Sequence, residues 1–203
     1  VVIIERVNME GLISRVKSKK KKFFQISKSI INLDAILNQC LPDKDECIKL
    51  ISFDGSFSSI EFISLVAMKE TIIELTASTL RVGGKQAETL VALNDAGKLL
   101  KASFYIGSIM KEDIKQKIKK YDYYTNFLQV CGNNNWDLVV INNHSKTILM
   151  QTEYNYYVLE TSSNLNENPK IEQYSFENNK ELYDFYYKFF DILKTRIRIL
   201  GNR

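Results

Sequence analysis

Residues 136–174 read WDLVVINNHSKTILMQTEYNYYVLETSSNLNENPKIEQY, and the rest of the chain is organised around this stretch. Two strand-like apolar runs, Leu138-Val139-Val140-Ile141 and Thr147-Ile148-Leu149-Met150, flank His144-Ser145-Lys146, which holds the only histidine of the protein. Alternation of faces along a strand predicts that His144 and Lys146 point the same way. A third strand, Tyr154 to Glu160, follows the polar turn Gln151-Thr152-Glu153. Folded back as a hairpin, it would bring positions 161–162 opposite His144, with Thr161, Ser162, Ser163 and Asn164 beside the imidazole and the ammonium.

Working outward, the sequence before this stretch alternates short apolar runs with helical periods. Strands are predicted over Cys47–Phe53, Thr71–Val82 and Ser103–Ile109, and helices over Ser58–Lys69, Ala87–Ala102 and Lys111–Val130. Strands alternating with helices predict an α/β domain, a mixed and mostly parallel sheet with helices on both faces. At the far end, Leu182, Phe185, Tyr186, Phe189, Ile192 and Leu193 fall on one face of a helix over Lys180–Leu200, which closes the core.

The start of the chain differs in character. Residues 1–28 hold eight lysines and arginines against Glu5 and Glu10, so they carry +6 of a net +4 and leave −2 for the remainder. Such a basic segment attracts polyanions or anionic surfaces. Phe23, Ile26, Ile30, Leu33, Leu37 and Cys40 then recur at three- and four-residue steps, predicting an amphipathic helix that ends near Pro42. The organisation expected is a basic, helical extension over 1–46 and a domain over 47–203.

With 203 residues, 45% of them hydrophobic, the chain can bury a full core. Its apolar runs all fall short of the roughly 18 residues needed to span a bilayer, which predicts no stable membrane insertion. Three cysteines without C-x-x-C spacing and one histidine do not make a zinc site, so no metal and no cofactor are expected. No secretory leader is read in the sequence, and a reducing, cytoplasmic setting is the expectation.

His144-Ser145-Lys146, then Ser162-Ser163-Asn164-Leu165, then Asn168-Pro169-Lys170-Ile171-Glu172-Gln173 resemble the H-x-K and G-S-x-N-L signatures of the phospholipase D superfamily and the acidic residue that follows them. The resemblance covers roughly residues 47 to 200. It implies phosphodiester cleavage through a covalent phosphohistidine without metal, with His144 as nucleophile and Lys146 and Asn164 on the phosphate oxygens. Ser162 supports its neighbours, and Glu172 is the first candidate to orient the imidazole, with Glu160, Glu167 and Glu177 as competitors. The chemistry of the side chains agrees: an imidazole with a pKa near ~6.5 can act as base and acid at neutral pH, and a lysine supplies a compact positive charge.

Two steps need two histidines, and this chain has one. The prediction is a twofold homodimer whose two copies of His144 and Lys146 build one composite site, as in the single-motif nucleases of the family. DNA or RNA is then the expected substrate. The alternatives are a binding module that kept the phosphate pocket and lost the chemistry, and a phospholipase. Two positions depart from the family pattern: Gln151 replaces an Asp, and Thr161 replaces the Gly before Ser162, where a β-branched side chain would crowd the phosphate. Tyr121, Tyr123, Tyr124 and Phe127 could stack on bases, although packing is the simpler use, and Cys131 reads as a buried helix-end residue.

Overall fold

The computed structural model describes residues 22–27, 41–52, 57–115, 122–166 and 170–201. Most of the basic segment, the predicted helix beyond Ser27 and the Glu167-Asn168-Pro169 stretch lie outside the described residues.

Among the described residues, eight strands form one sheet: β1 (Lys22–Ser27), β2 (Cys47–Ser52), β3 (Glu74–Thr79), β4 (Ala102–Gly107), β5 (Asp137–Ile141), β6 (Thr147–Gln151), β7 (Tyr156–Thr161) and β8 (Glu172–Asn178). Their order is β1-β2-β8-β7-β6-β3-β4-β5. The pairs β1–β2, β3–β4 and β4–β5 are parallel. The four central pairs, β2–β8, β8–β7, β7–β6 and β6–β3, are antiparallel. The fold is therefore mixed α/β, and the expected mostly parallel sheet is corrected. Parallel neighbours need a long crossover, which the helices between β3, β4 and β5 provide. From β5 to β8 no helix intervenes among the described residues, so the chain returns directly and its strands oppose one another.

Phe23 and Ile26, which their spacing assigns to a helix, lie in β1. That strand pairs along its whole length with β2, from Lys22 opposite Cys47 to Ser27 opposite Ser52. A three-residue apolar step does not separate helix from strand over so short a run, and ladder pairing decides. Strand β8 went unread in the sequence although Tyr174 and Phe176 alternate with Gln173, Ser175 and Glu177.

Five helices, again among the described residues, cover the sheet: α1 (Ser59–Lys69), α2 (Gly84–Asp95), α3 (Ile109–Lys115), α4 (Tyr123–Asn133) and α5 (Lys180–Gly201). Three of the starts have a local cause. The Glu61 carboxylate reaches back to Ser58 N (2.7 Å) before α1. Asp122 Oδ1 accepts from Thr125 N (2.8 Å) before α4, and Asn179 Oδ1 accepts from Glu181 N (3.0 Å) before α5. Side-chain oxygens in this position satisfy N–H groups that have no partner within the helix. Helix α2 ends where Gly97 takes φ +68, a left-handed conformation that favours glycine.

One sheet face, with Leu50, Leu75, Phe104, Ile148, Tyr157 and Phe176, packs with α1, α2 and α4 in the larger core. The other face buries Tyr105, Leu149 and Val158 under Tyr183 and Phe190 of α5. Helices thus lie on both faces, as the sequence predicts. Burying each such large side chain stabilises the fold by roughly 1.5–3 kcal/mol.

Candidate functional site

The C-terminal ends of β3, β4, β5 and β7 and the N-terminal ends of β6 and β8 meet along one edge, and the predicted site residues gather there. His144, Ser145 and Lys146 are not part of a strand. They lie in a loop, 142–146, that joins β5 to β6, so the alternation argument does not apply to them. Their side chains meet for a different reason: Lys146 Nζ folds back to 3.3 Å from His144 Nδ1 and donates to His144 O at 2.8 Å.

The hairpin of β6 and β7 forms, with Thr147 opposite Glu160. Its register places Lys146, rather than His144, beside Thr161: Thr161 N donates to Lys146 O at 3.1 Å. The turn falls at 152–155, slightly later than expected. Here Glu70 is the anchor, accepting from Thr152 Oγ1 (2.5 Å), Asn155 Nδ2 (3.0 Å) and Tyr157 Oη (2.7 Å).

Beyond β7 the loop of Ser162, Ser163 and Asn164 is held at several points. Thr161 Oγ1 accepts from Ser163 N (2.9 Å), and Ser163, buried, gives its carbonyl to Ser59 Oγ (3.1 Å). Leu165 N donates to Thr79 Oγ1 (3.1 Å), and Leu165 O accepts from Gly83 N (2.7 Å). Asn164 Oδ1 accepts from Leu80 N at 3.3 Å. That bond orients the amide, so Nδ2 is the end that can donate to an anion.

Ser162 Oγ donates to Glu172 Oε2 and accepts from Gln173 N at 2.9 Å. Glu172 is buried. Partial burial lowers the pKa of Lys146 below the ordinary lysine value, and the negative charge of Glu172 partly opposes the shift. His144 and Lys146 therefore touch, Ser162 and Glu172 touch, and Glu172 acts on Lys146 through charge. Of the competing carboxylates, Glu160 accepts from Tyr186 Oη and Glu177 from Asn179 Nδ2 (2.6 Å).

Other residues singled out in the sequence have structural uses. Phe127 is buried edge-on against Phe104, with ring centroids 5.0 Å apart, and Tyr124 packs against the same core. Tyr123 is exposed. The Cys131 thiol is buried, which pushes its pKa up to about 12 and makes it a poor nucleophile.

Sequence reasoning missed Asn143 and Ser78. Asn143 is buried, and its Nδ2 donates to Ser78 Oγ and to Tyr105 O, each at 2.9 Å. The only sequence signal was a run of small polar residues at the end of β3, Ser78-Thr79, where an apolar strand would continue.

No family model matches the sequence, and no curated protein matches it. Among solved structures, the chain matches a polyphosphate kinase from Porphyromonas gingivalis, at 18% identity and a TM-score of 0.48, covering 67% of this chain and 24% of that one. TrmBL2, an archaeal chromatin protein with a novel mode of DNA binding, matches at 8% identity and a TM-score of 0.47, covering 82% of this chain and 59% of that one. A phosphatidylserine synthase from Haemophilus influenzae Rd KW20 matches at 14% identity and a TM-score of 0.48, covering 75% of this chain and 38% of that one. The chain thus spans less than two thirds of the length of each. Among the described residues no helix is long and apolar enough to cross a membrane.

Proposed function

We propose that this chain is a metal-independent phosphodiesterase, an endonuclease acting on DNA or RNA, which works through a phosphohistidine in an active site shared by two copies. The observation that carries this reading is the pairing of His144 Nδ1 with Lys146 Nζ at 3.3 Å, on the same sheet edge as Ser162, Asn164 and Glu172. In the first step an imidazole nitrogen of His144 attacks phosphorus. A P–N bond forms, the P–O bond to the leaving oxygen breaks, and that oxygen takes a proton from the imidazolium of the second copy. In the second step the same imidazole, now neutral, removes a proton from water. The water oxygen attacks phosphorus, the P–N bond breaks and both imidazoles return to their starting states.

Lys146 and the Asn164 amide would stabilise the charge that builds on the phosphate oxygens, and Glu172 would hold Ser162 and steady the ammonium. A polyanionic substrate is favoured by exposed Lys85, Lys111 and Lys170 on segments that border this edge, and by the +6 charge of residues 1–28.

The test is incubation of the wild-type protein and His144→Ala with plasmid DNA, RNA and bis(p-nitrophenyl) phosphate in excess chelator. Cleavage by the wild type and none by the variant is expected; cleavage that survives the substitution, or none by the wild type, overturns the reading. Sedimentation gives a second check, since a strict monomer at micromolar concentration, with nucleic acid present, is incompatible with a shared site.

A further inference from the structure

Strand β5 is at one edge of the sheet, and β6 lies on the far side of β4 and β3. Loop 142–146 must therefore cross the ends of both strands. Three interstrand steps of ~4.8 Å make about 14 Å, and the peptide steps from Ile141 to Thr147 reach at most about 21 Å. The loop is a strap long enough to make this crossing, laid over two strand ends.

Asn143 is the buried residue of this strap. Its Nδ2 donates to Tyr105 O, two residues before the end of β4, and to Ser78 Oγ on β3, each at 2.9 Å, with Thr79 O at 3.4 Å. Its Oδ1 accepts from Ser145 N (2.9 Å) and Ser145 Oγ (2.8 Å), and Ser145 Oγ lies 2.5 Å from Ser78 Oγ. These contacts close a ring with one consistent set of donors. An amide nitrogen only donates, so Ser78 Oγ accepts from Asn143; the Ser145 hydroxyl proton goes to Asn143 Oδ1; the Ser78 proton therefore goes to Ser145 Oγ. Alanine makes none of these bonds, and an ionised aspartate has no donor for Tyr105 O. The strap is also seated directly on β4, because a Cβ on Gly107 would lie 2.8 Å from Leu80 O and 3.1 Å from Asn143 O.

We infer that Asn143 is the positioning residue of the site: by tying the strap to β3 and β4 it fixes His144 and Lys146 relative to the Ser162–Asn164 loop. Its effect on turnover rests on the phosphodiesterase reading, while its effect on His144 geometry does not. His144 is the only histidine, so its ring resonances report on the strap without ambiguity and without turnover.

The experiment compares the wild type with Asn143→Ala, Asn143→Asp, Ser78→Ala and the exposed neighbour control Asn142→Ala. It reads His144 ring resonances by NMR, and kcat and KM on bis(p-nitrophenyl) phosphate. Both Asn143 variants should move and broaden the His144 signals and lower kcat about 100-fold with KM within about threefold, the cost of a misplaced reacting group. Asn142→Ala should resemble the wild type in both. Wild-type His144 signals in a folded Asn143 variant overturn the inference, as does a loss confined to KM. Should neither Asn143 variant fold, Ser78→Ala opens the ring while leaving Asn143 on Tyr105, and unchanged His144 signals there overturn it equally. A wild type that hydrolyses nothing sinks the proposed function, and the His144 signals still decide the positioning.

Discussion

Lys146 Nζ stands 3.3 Å from His144 Nδ1 and 2.8 Å from the carbonyl oxygen of the same residue. An ammonium only donates, so Nδ1 accepts and a neutral ring carries its proton on Nε2. A tetrahedral oxyanion competes with both acceptors for the lysine. Titration with tungstate should therefore move the His144 ring resonances in the wild type and leave them in place in Lys146→Met. The same substitution should lower kcat on bis(p-nitrophenyl) phosphate by about 10²–10³, the usual loss when one stabiliser of developing charge is removed. Unaltered turnover in Lys146→Met would remove the lysine from the chemistry.

Burial lowers the Lys146 pKa and Glu172 partly opposes the change. A reaction that needs the ammonium falls away as pH rises through that pKa, so the alkaline limb should lie below the ordinary lysine value of ~10.4. Glu172→Gln removes the opposing charge, and the limb should move further toward neutral pH. The pH–rate profiles of the two proteins decide, and a shift to higher pH in the variant contradicts the coupling.

Glu70 anchors the β6–β7 turn. Burial pushes its pKa up, but the hydrogen bonds from Thr152, Asn155 and Tyr157 outweigh this and hold it below the ordinary carboxylate value. A carboxyl whose pKa is lower in the folded state contributes stability that is fully present above its unfolded pKa, ~4.3, and is lost as pH falls through the folded value. Glu70→Gln keeps the shape but sets an amide against donor groups, which should cost about 1–3 kcal/mol. Thermal melts from pH 3 to 7 should show a smaller loss at the acid end for the variant than for the wild type.

Thr161 Oγ1 accepts from Ser163 N at 2.9 Å. The hydroxyl is thus a brace for the loop that carries Ser162 and Asn164. Thr161→Gly removes the brace and frees the backbone, and should destabilise the protein by about 1 kcal/mol, or about 2–4 °C in Tm for a chain of this size. Thr161→Ser should retain most of it. A glycine variant with wild-type Tm and raised turnover would show instead that the threonine obstructs the phosphate.

Much of the architecture was legible from local pattern. Phe104 and Ile106, Ile148 and Met150, and Tyr157 and Leu159 have the spacing of buried strands, whereas the helix predicted over Ala87–Ala102 lies at Gly84–Asp95, with Ala102 already in β4, and the one predicted over Lys111–Val130 corresponds, among the described residues, to the two helices Ile109–Lys115 and Tyr123–Asn133. The runs at Ser59–Lys69 and Lys180–Gly201 were equally clear as helices. What failed was direction and membership. Strand direction depends on how the chain gets from one strand to the next, and β8, with only Tyr174 and Phe176 to mark it, enters between β2 and β7. Phe23 and Ile26 went astray because pairing with β2, a contact distant in sequence, sets their conformation.

The sequence by itself determined which side chains are available: one histidine, a lysine two residues later, and a Ser-x-Asn segment close behind. Local physics was enough to place these near a β-hairpin, because alternation and turn residues act over a few positions. The tertiary structure alone decided that the histidine rides on a strap across β3 and β4, and that Asn143, Ser78 and Ser145 close a ring beneath it. Ser78 and Asn143 are 65 residues apart, and no periodicity in a chain records which strand end a loop will cross. Hydrogen bonding at a sheet edge becomes defined only when the strand order is, and here that order set the ground on which His144 and Lys146 meet.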